Sequence, residues 1–183
     1  VDRLHYGKLA KKIPKGTILP SKYNGGYEYS FDFWLYVSDL NYKYNLEKVI
    51  FNWKDNIKVS IKKKTPSLLV EIFTINGNPE LLEYNDLPIQ RWLYITIVVK
   101  NRYLDILING ELYSTKLLQR IPVYEITSLN LCPNGGFSGY INKFRYSPHS
   151  IDIDTIKKTL SYGPNNSTLL DVFSPTKTPK CSK

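Results

Sequence analysis

Carboxylates, lysines and flat aromatic rings are the side chains of this 183-residue chain with the most chemistry to offer. Two carboxylates facing each other about 5–10 Å apart can hydrolyse a glycosidic bond. Glu28 and Asp32 sit four residues apart on one face of an extended segment, and Asp105 points outward from another. Their spacing brings neither to a second acid across a cleft. They read as outward polar residues that keep strands soluble, and no catalytic residue is assigned. His5 and His149 lack the neighbouring acids that a histidine metal site or a Ser-His-Asp triad needs. The glycines at 25, 26, 135 and 136 form no phosphate-binding fingerprint.

Lys54, Lys58, Lys62, Lys63 and Lys64 form a basic stripe, with Lys58 and Lys62 on one side of a strand. Such charge suits phosphate. Nucleic-acid recognition also calls for exposed aromatics or a groove-reading element, so the stripe reads instead as a solvated face or an edge strand guarded against aggregation. Flat rings stack on the apolar faces of sugars and serve protein interfaces. On that ground Trp53, Tyr36 and Tyr94 are the candidate ligand-face residues.

These side chains need elements to hold them. Arg91 to Gly110 alternates in period two on both sides of a tight turn, which predicts a β-hairpin with one buried side. In Tyr29–Val37, Tyr29, Phe31, Phe33, Leu35 and Val37 share a face, with Ser30, Asp32, Trp34 and Tyr36 opposite. This predicts a long central strand. Further strands are expected at 49–53, 56–62, 68–75, 112–118, 126–131 and 137–146, and a loop or short edge strand at 81–88. Over 137–146 strict alternation sets Phe137, Gly139, Ile141 and Lys143 against Tyr140, Asn142, Phe144 and Tyr146. From Ile151 to Tyr162 the pattern suits a short helix capped by Asp152 or Asp154, with Lys157 and Lys158 late, as the helix dipole favours. About ten short strands with at most one helix argue against a parallel α/β fold.

Residues 1–26 are basic and broken by Pro14, Gly16, Pro20 and Gly25-Gly26, and read as an extended N-terminal arm. The sandwich domain is placed at 27–162 and a Pro-, Ser-, Thr- and Lys-rich tail at 163–183. Hydrophobic content of 42% suffices for one core, and no apolar run is long enough to span a membrane. The net charge of +9 permits an acidic partner, anionic lipid or nucleic acid. The chain begins at Val1 and lacks Met, which suits a processed or trimmed chain or a piece of a longer one. Cys132 and Cys181 either pair in an oxidising compartment or stay reduced; their spacing does not decide. Overlapping N-glycosylation acceptors at Asn165 and Asn166 would matter only in a secretory compartment.

Three segments together resemble the laminin-G-like, pentraxin-like jelly-roll branch of the concanavalin A-like lectin/glucanase superfamily. YSFDFWLYV (29–37) is similar to its aromatic first core strand. QRWLYITIVVKNRYLDILINGEL (90–112) is similar to its W-x-H-V-A-x-T and L-Y-x-N-G strands. GGFSGYINKFRYSP (135–148) is similar to its G-x-F-x-G strand. The resemblance implies an all-β, antiparallel two-sheet jelly-roll sandwich with one short helix near its C-terminus. It also implies structural positions for Trp34 and Trp92 under covering elements. Tyr140 stands where many members carry a cysteine, and the E-x-D-x-E string of the family's glycanases is absent. No ordered acid cluster matches the family's metal sites, so calcium has no clear ligands and no cofactor is expected. The composition, with this fold, also resembles such domains in virion-associated and capsid proteins of large DNA viruses. The expectation is therefore a non-catalytic structural or protein-interaction module, virion-borne or at a cell surface. The alternative is a glycan-binding domain for attachment. A hydrolase, or nucleic-acid binding through the basic arm, ranks below both.

Overall fold

The computed structural model describes residues 4–19, 21 and 28–164. In chain order the strands are β1 (His5–Tyr6), β2 (Lys11–Ile13), β3 (Glu28–Asp39), β4 (Lys48–Trp53), β5 (Ile57–Ile61) and β6 (Leu68–Ile72). They continue with β7 (Glu80–Tyr84), β8 (Trp92–Lys100), β9 (Tyr103–Ile108), β10 (Glu111–Leu117), β11 (Leu129–Leu131) and β12 (Ser138–Ser147); one helix, α1 (Ile153–Ser161), follows. They build two six-stranded sheets, ordered β1-β12-β3-β8-β9-β10 and β2-β11-β4-β5-β6-β7. Every pairing is antiparallel. The result is the expected all-β jelly-roll sandwich with one short C-terminal helix.

Alternation fills the space between the sheets. Tyr29, Phe31, Phe33, Leu35 and Val37 of β3 are all buried, as are Ile95, Ile97 and Val99 of β8. Val59, Val70, Leu129 and their strand neighbours answer from the second sheet. Each such side chain contributes about 1.5–3 kcal/mol on burial. Aromatic rings dominate the centre: Phe31 lies 4.8 Å from Phe51, and Phe51 lies 5.1 Å from Phe144.

Trp53, expected on a ligand face, belongs to this core. It is fully buried, ringed by Tyr29, Phe31, Tyr124 and Tyr146, and its indole donates to the carbonyl of Thr127 at 3.3 Å. The physical reason is parity: Trp53 shares the inward face of β4 with Phe51.

β12 departs from strict alternation. Asn142 pairs with Trp34, and the next pair is Arg145 with Asp32, so β12 carries one extra residue. Lys143 takes it up with a φ of 50°. This bulge turns both Ile141 and Phe144 into the core, and Arg145 outward to face Asp32.

The basic N-terminal stretch does more than extend. β1 pairs with β12 and β2 with β11, and Ile18 is buried in the core. β7 is an edge strand of the second sheet, whereas β5, which carries Lys58, is an interior strand. The edge reading of the lysine stripe is therefore corrected. Asp152 caps α1, accepting from the Thr155 N–H at 2.8 Å and from the Thr155 hydroxyl at 2.8 Å. The bond from the Thr155 backbone holds its carboxyl below the ordinary 3.8.

Gly139, where β12 crosses β3, has a φ of 155°, and a Cβ there would run into the Tyr36 carbonyl. Gly139→Ala is expected to cost at least about 3 kcal/mol through strain and overlap, lowering the melting temperature by about 6–12 °C. Gly16→Ala, with open space around it, should leave the temperature unchanged or slightly raised. Thermal unfolding of the two variants checks the contrast.

Candidate functional site

The outer face of the first sheet collects the residues of opposite parity. On β3 these are Asp32, Trp34 and Tyr36. Register then sets Tyr36 beside Trp92 of β8 and beside Tyr140 of β12, and Tyr140 beside Tyr6 of β1. Four aromatic side chains thus cross four adjacent strands in one row. The ring centroids are 4.8 Å apart for Tyr6–Tyr140, 6.0 Å for Tyr140–Tyr36 and 5.3 Å for Tyr36–Trp92. Three strand spacings make the row roughly 14 Å long. Tyr6 is 39% exposed, and the other three are half-buried.

One end of the row is bordered by loops. Ser38 and Ser138 are half-buried at the strand ends, and the Gln90 amide donates to the Ser38 carbonyl at 3.5 Å. Tyr42 donates to the Gly135 carbonyl at 3.0 Å, and Lys43 donates to the Asn134 carbonyl. The Lys8 ammonium stands 4.4 Å above the Tyr42 ring. Ser38, Ser138 and Gln90 thus offer hydroxyl and amide groups at these strand ends, with exposed Asp39 opposite Ser138.

Helix α1 roofs the other side. Ile156 and Leu160 pack on Trp34, Tyr94, Trp92 and Leu107, so Trp34 lies covered as expected, while Trp92 is only half-buried at the helix's edge. Beneath the helix, Asp32 accepts from Arg145 Nε at 2.9 Å and Nη2 at 2.5 Å, and from the Tyr94 hydroxyl at 2.9 Å. Arg145 Nη2 also donates to Thr159 Oγ1 at 2.7 Å. Burial, reinforced by the Asp32 charge, pushes the Tyr94 hydroxyl up to about 12. Burial works against the Arg145 charge, but the bonds and charge of Asp32 outweigh it and raise the guanidinium.

Of the expected ligand-face residues, only Tyr36 lies in the open row. Tyr94 is on the outer face but fully buried under α1, and Trp53 is on the inner face. Asp32 is consumed by Arg145 and Tyr94, while Glu28 accepts from Ser150 at 3.3 Å, so this acid pair opens into no cleft. Asp105 accepts from Thr115 at 2.6 Å. The lysine stripe is largely balanced: Lys58 sits 2.5 Å from Glu71 and 3.2 Å from Glu47, Lys62 3.0 Å from Glu83, and Lys54 3.8 Å from Asp55. Lys63 and Lys64 are exposed in the following turn. His5 lies 2.7 Å from the Leu9 carbonyl, and His149 lies 3.1 Å from the Ser150 carbonyl. Among the described residues no group of three or more His, Cys, Asp or Glu could hold a metal. Cys132 is buried, while Cys181 and the Asn165–Thr168 acceptors lie outside the described residues. Tyr6 and Tyr140 are the row members that sequence reading missed. Tyr140 shares the parity of Asn142, a usable signal; a two-residue strand gives Tyr6 none.

No protein-family model matches the chain, and no curated protein matches its sequence. Solved structures do match. One is the binding domain of botulinum neurotoxin DC in complex with rat synaptotagmin II: TM-score 0.61, 17% identity, 76% of this chain and 37% of that one. A second is the receptor-binding domain of the mosaic serotype C/D with tetraethylene glycol and sulfate bound: TM-score 0.65, 17% identity, 88% and 45%. A third is the receptor-binding domain of botulinum neurotoxin D: TM-score 0.63, 13% identity, 85% and 48%. The chain spans less than half the length of each. The likeness is one of fold, and none of these is a virion protein.

Burial also holds the Cys132 thiol up at about 12 and raises Tyr29 and Tyr146 above the ordinary 10.0. The unfolded chain releases these protons at about 9 for the thiol and about 10 for the phenols, while the folded one keeps them. Stability is therefore full below about pH 9 and falls as pH rises towards 12. Lys48 and Lys143, lowered by burial, act in the opposite sense, but the upward shifts are the larger. Urea midpoints should decline across this window, and in Cys132→Ala the decline should begin about one pH unit later.

Proposed function

We propose that this domain is a non-catalytic binding module that takes a glycan across the row Tyr6–Tyr140–Tyr36–Trp92. The observation that carries the reading is the register, which sets four rings side by side on an open sheet face. Such rings offer apolar faces to the C–H faces of sugars, and the serines, Gln90 and Asp39 at the strand ends offer hydrogen bonds to sugar hydroxyls. A row of roughly 14 Å suits a short oligosaccharide rather than one ring. Similarity to toxin domains described as binding or receptor-binding supports a binding role at an extracellular or cell surface.

A protein ligand on the same row is the second reading; a protein-interaction module is also the leading reading of the sequence, there reaching its partner through the arms at the two ends. The neurotoxin DC binding domain in complex with synaptotagmin II favours it. The virion setting draws no support from these structures. Catalysis fares no better, since Asp32 and Glu28, the acid pair on β3, are engaged by Arg145, Tyr94 and Ser150.

The chain has three tryptophans, and Trp34 and Trp53 are buried while Trp92 is half-exposed at the end of the row. Fluorescence quenching by acrylamide should therefore report mainly on Trp92. A glycan array identifies the sugar; that sugar should then protect the fluorescence from quenching. Tyr36→Ala and Tyr140→Ala should each weaken binding about tenfold, or ~1.4 kcal/mol, with the melting temperature held within a few degrees. A blank array, or binding indifferent to both substitutions, would remove the glycan reading.

A further inference from the structure

One end of the sandwich holds a second surface, built by turns rather than by a sheet face. The β3–β4 and β5–β6 connections both lie there: Lys48 opens β4 opposite Ile61, the last residue of β5, and Ile61 stands opposite Leu68, the first of β6. A backbone bond joins the two connections, from the Lys64 N–H to the Tyr44 carbonyl at 3.0 Å. Within the first, the Tyr44 N–H donates to the Asn41 carbonyl at 3.1 Å and the Leu46 N–H to the Lys43 carbonyl at 2.9 Å, which fixes the turn. Tyr44 and Leu46 are 47% and 58% exposed. Lys63 and Lys64 are also exposed, and neither takes part in the ion pairs of the described residues. The nearby carboxylates are answered within the fold: Glu47 by Lys58 and Ser60, Glu83 by Lys62, and Asp39 by the Asn41 N–H. The adjoining 85–91 connection is tied to the turn by a bond from the Leu87 N–H to the Pro66 carbonyl. It adds exposed Asp86 and exposed Arg91, which balance in charge.

We propose that this end docks on a membrane leaflet that carries anionic lipid. Tyr44 and Leu46 enter the interfacial layer, where a tyrosine keeps its ring in an apolar setting and its hydroxyl wet. Lys63 and Lys64 lie along the surface and meet the lipid phosphates and carboxylates, their stems covering apolar area while their ammonium groups stay hydrated. A soluble anion would answer the lysines but leave two large apolar side chains in water. A neutral leaflet would cover the apolar side chains and leave the lysines without partners. An anionic leaflet answers both. Two apolar side chains and two charges make a weak, reversible attachment, far short of an inserted helix. None of this depends on a sugar bound at the aromatic row.

The test sediments the full chain with vesicles of equal parts phosphatidylcholine and phosphatidylserine, and with vesicles of phosphatidylcholine alone. Partition onto the anionic vesicles is expected, with release at high salt. Lys63→Gln and Lys64→Gln should each weaken it about fivefold. Tyr44→Ser combined with Leu46→Ser should weaken it about tenfold, with the melting temperature unchanged because both side chains are exposed. A spin-labelled lipid should broaden the amide NMR signals of residues 43–46 and 63–65 in the unaltered chain, a readout that needs no variant to fold. The vesicles carry no sugar and Tyr36→Ala should bind them normally, so failure of the glycan reading and failure of this one are separable. The proposal is overturned by equal partition onto the two kinds of vesicle, by indifference to the four substitutions, or by broadening centred elsewhere. Self-association that is lost on Tyr44→Ser and Leu46→Ser would also overturn it, assigning the surface to a second copy of the chain.

Discussion

Asp32 lies in the middle of a strand covered on both faces, so its charge has to be answered inside the protein. Arg145 answers it, and much else follows from that pairing. Arg145 can point at Asp32 only because the extra residue in β12, taken up at Lys143, reverses the strand's parity. The same reversal turns Phe144 inward against Phe31 and Phe51. The far side of the guanidinium donates to Thr159, so the ion pair also fastens α1 to the sheet. Replacing such a pair with apolar side chains is often tolerated, whereas removing one partner strands the other. The core, the bulge and the helix therefore stand or fall with one charge.

The position of α1 divides the outer face. Under the helix the rings of Trp34 and Tyr94 serve packing. Past its edge, Tyr36, Tyr140 and Tyr6 stay open to solvent in differing degree. One side-chain chemistry is thus put to two uses by the reach of nine helical residues.

Much of the fold was legible because its signals are local. The alternation of Tyr29–Val37, the Arg91–Gly110 hairpin and the Asp152 cap each depend on residues near one another in sequence. The aromatic row is different in kind. It exists only through register between β1, β12, β3 and β8, which no local period encodes. Tyr94 shows the intermediate case: its face was readable, but the helix that covers it comes from residues far along the chain. Trp53 was misplaced because a large ring was weighed as a ligand platform, when its shared parity with Phe51 pointed inward. Tyr6 was lost in a stretch too basic and too broken to display any strand pattern.

The central pairing of β3 with β12 joins residues as far apart as Asp32 and Arg145, 113 positions along the chain. A ribosome adds roughly 5–20 residues per second, so the gap corresponds to roughly 6–23 s of synthesis. Throughout that interval the most aromatic strand of the protein has emerged with its β12 edge unpaired, even after β8 is made to pair with the other edge. A strand that is interior in the folded domain is thus an open edge for much of the chain's synthesis, the condition under which edge-to-edge aggregation is favoured.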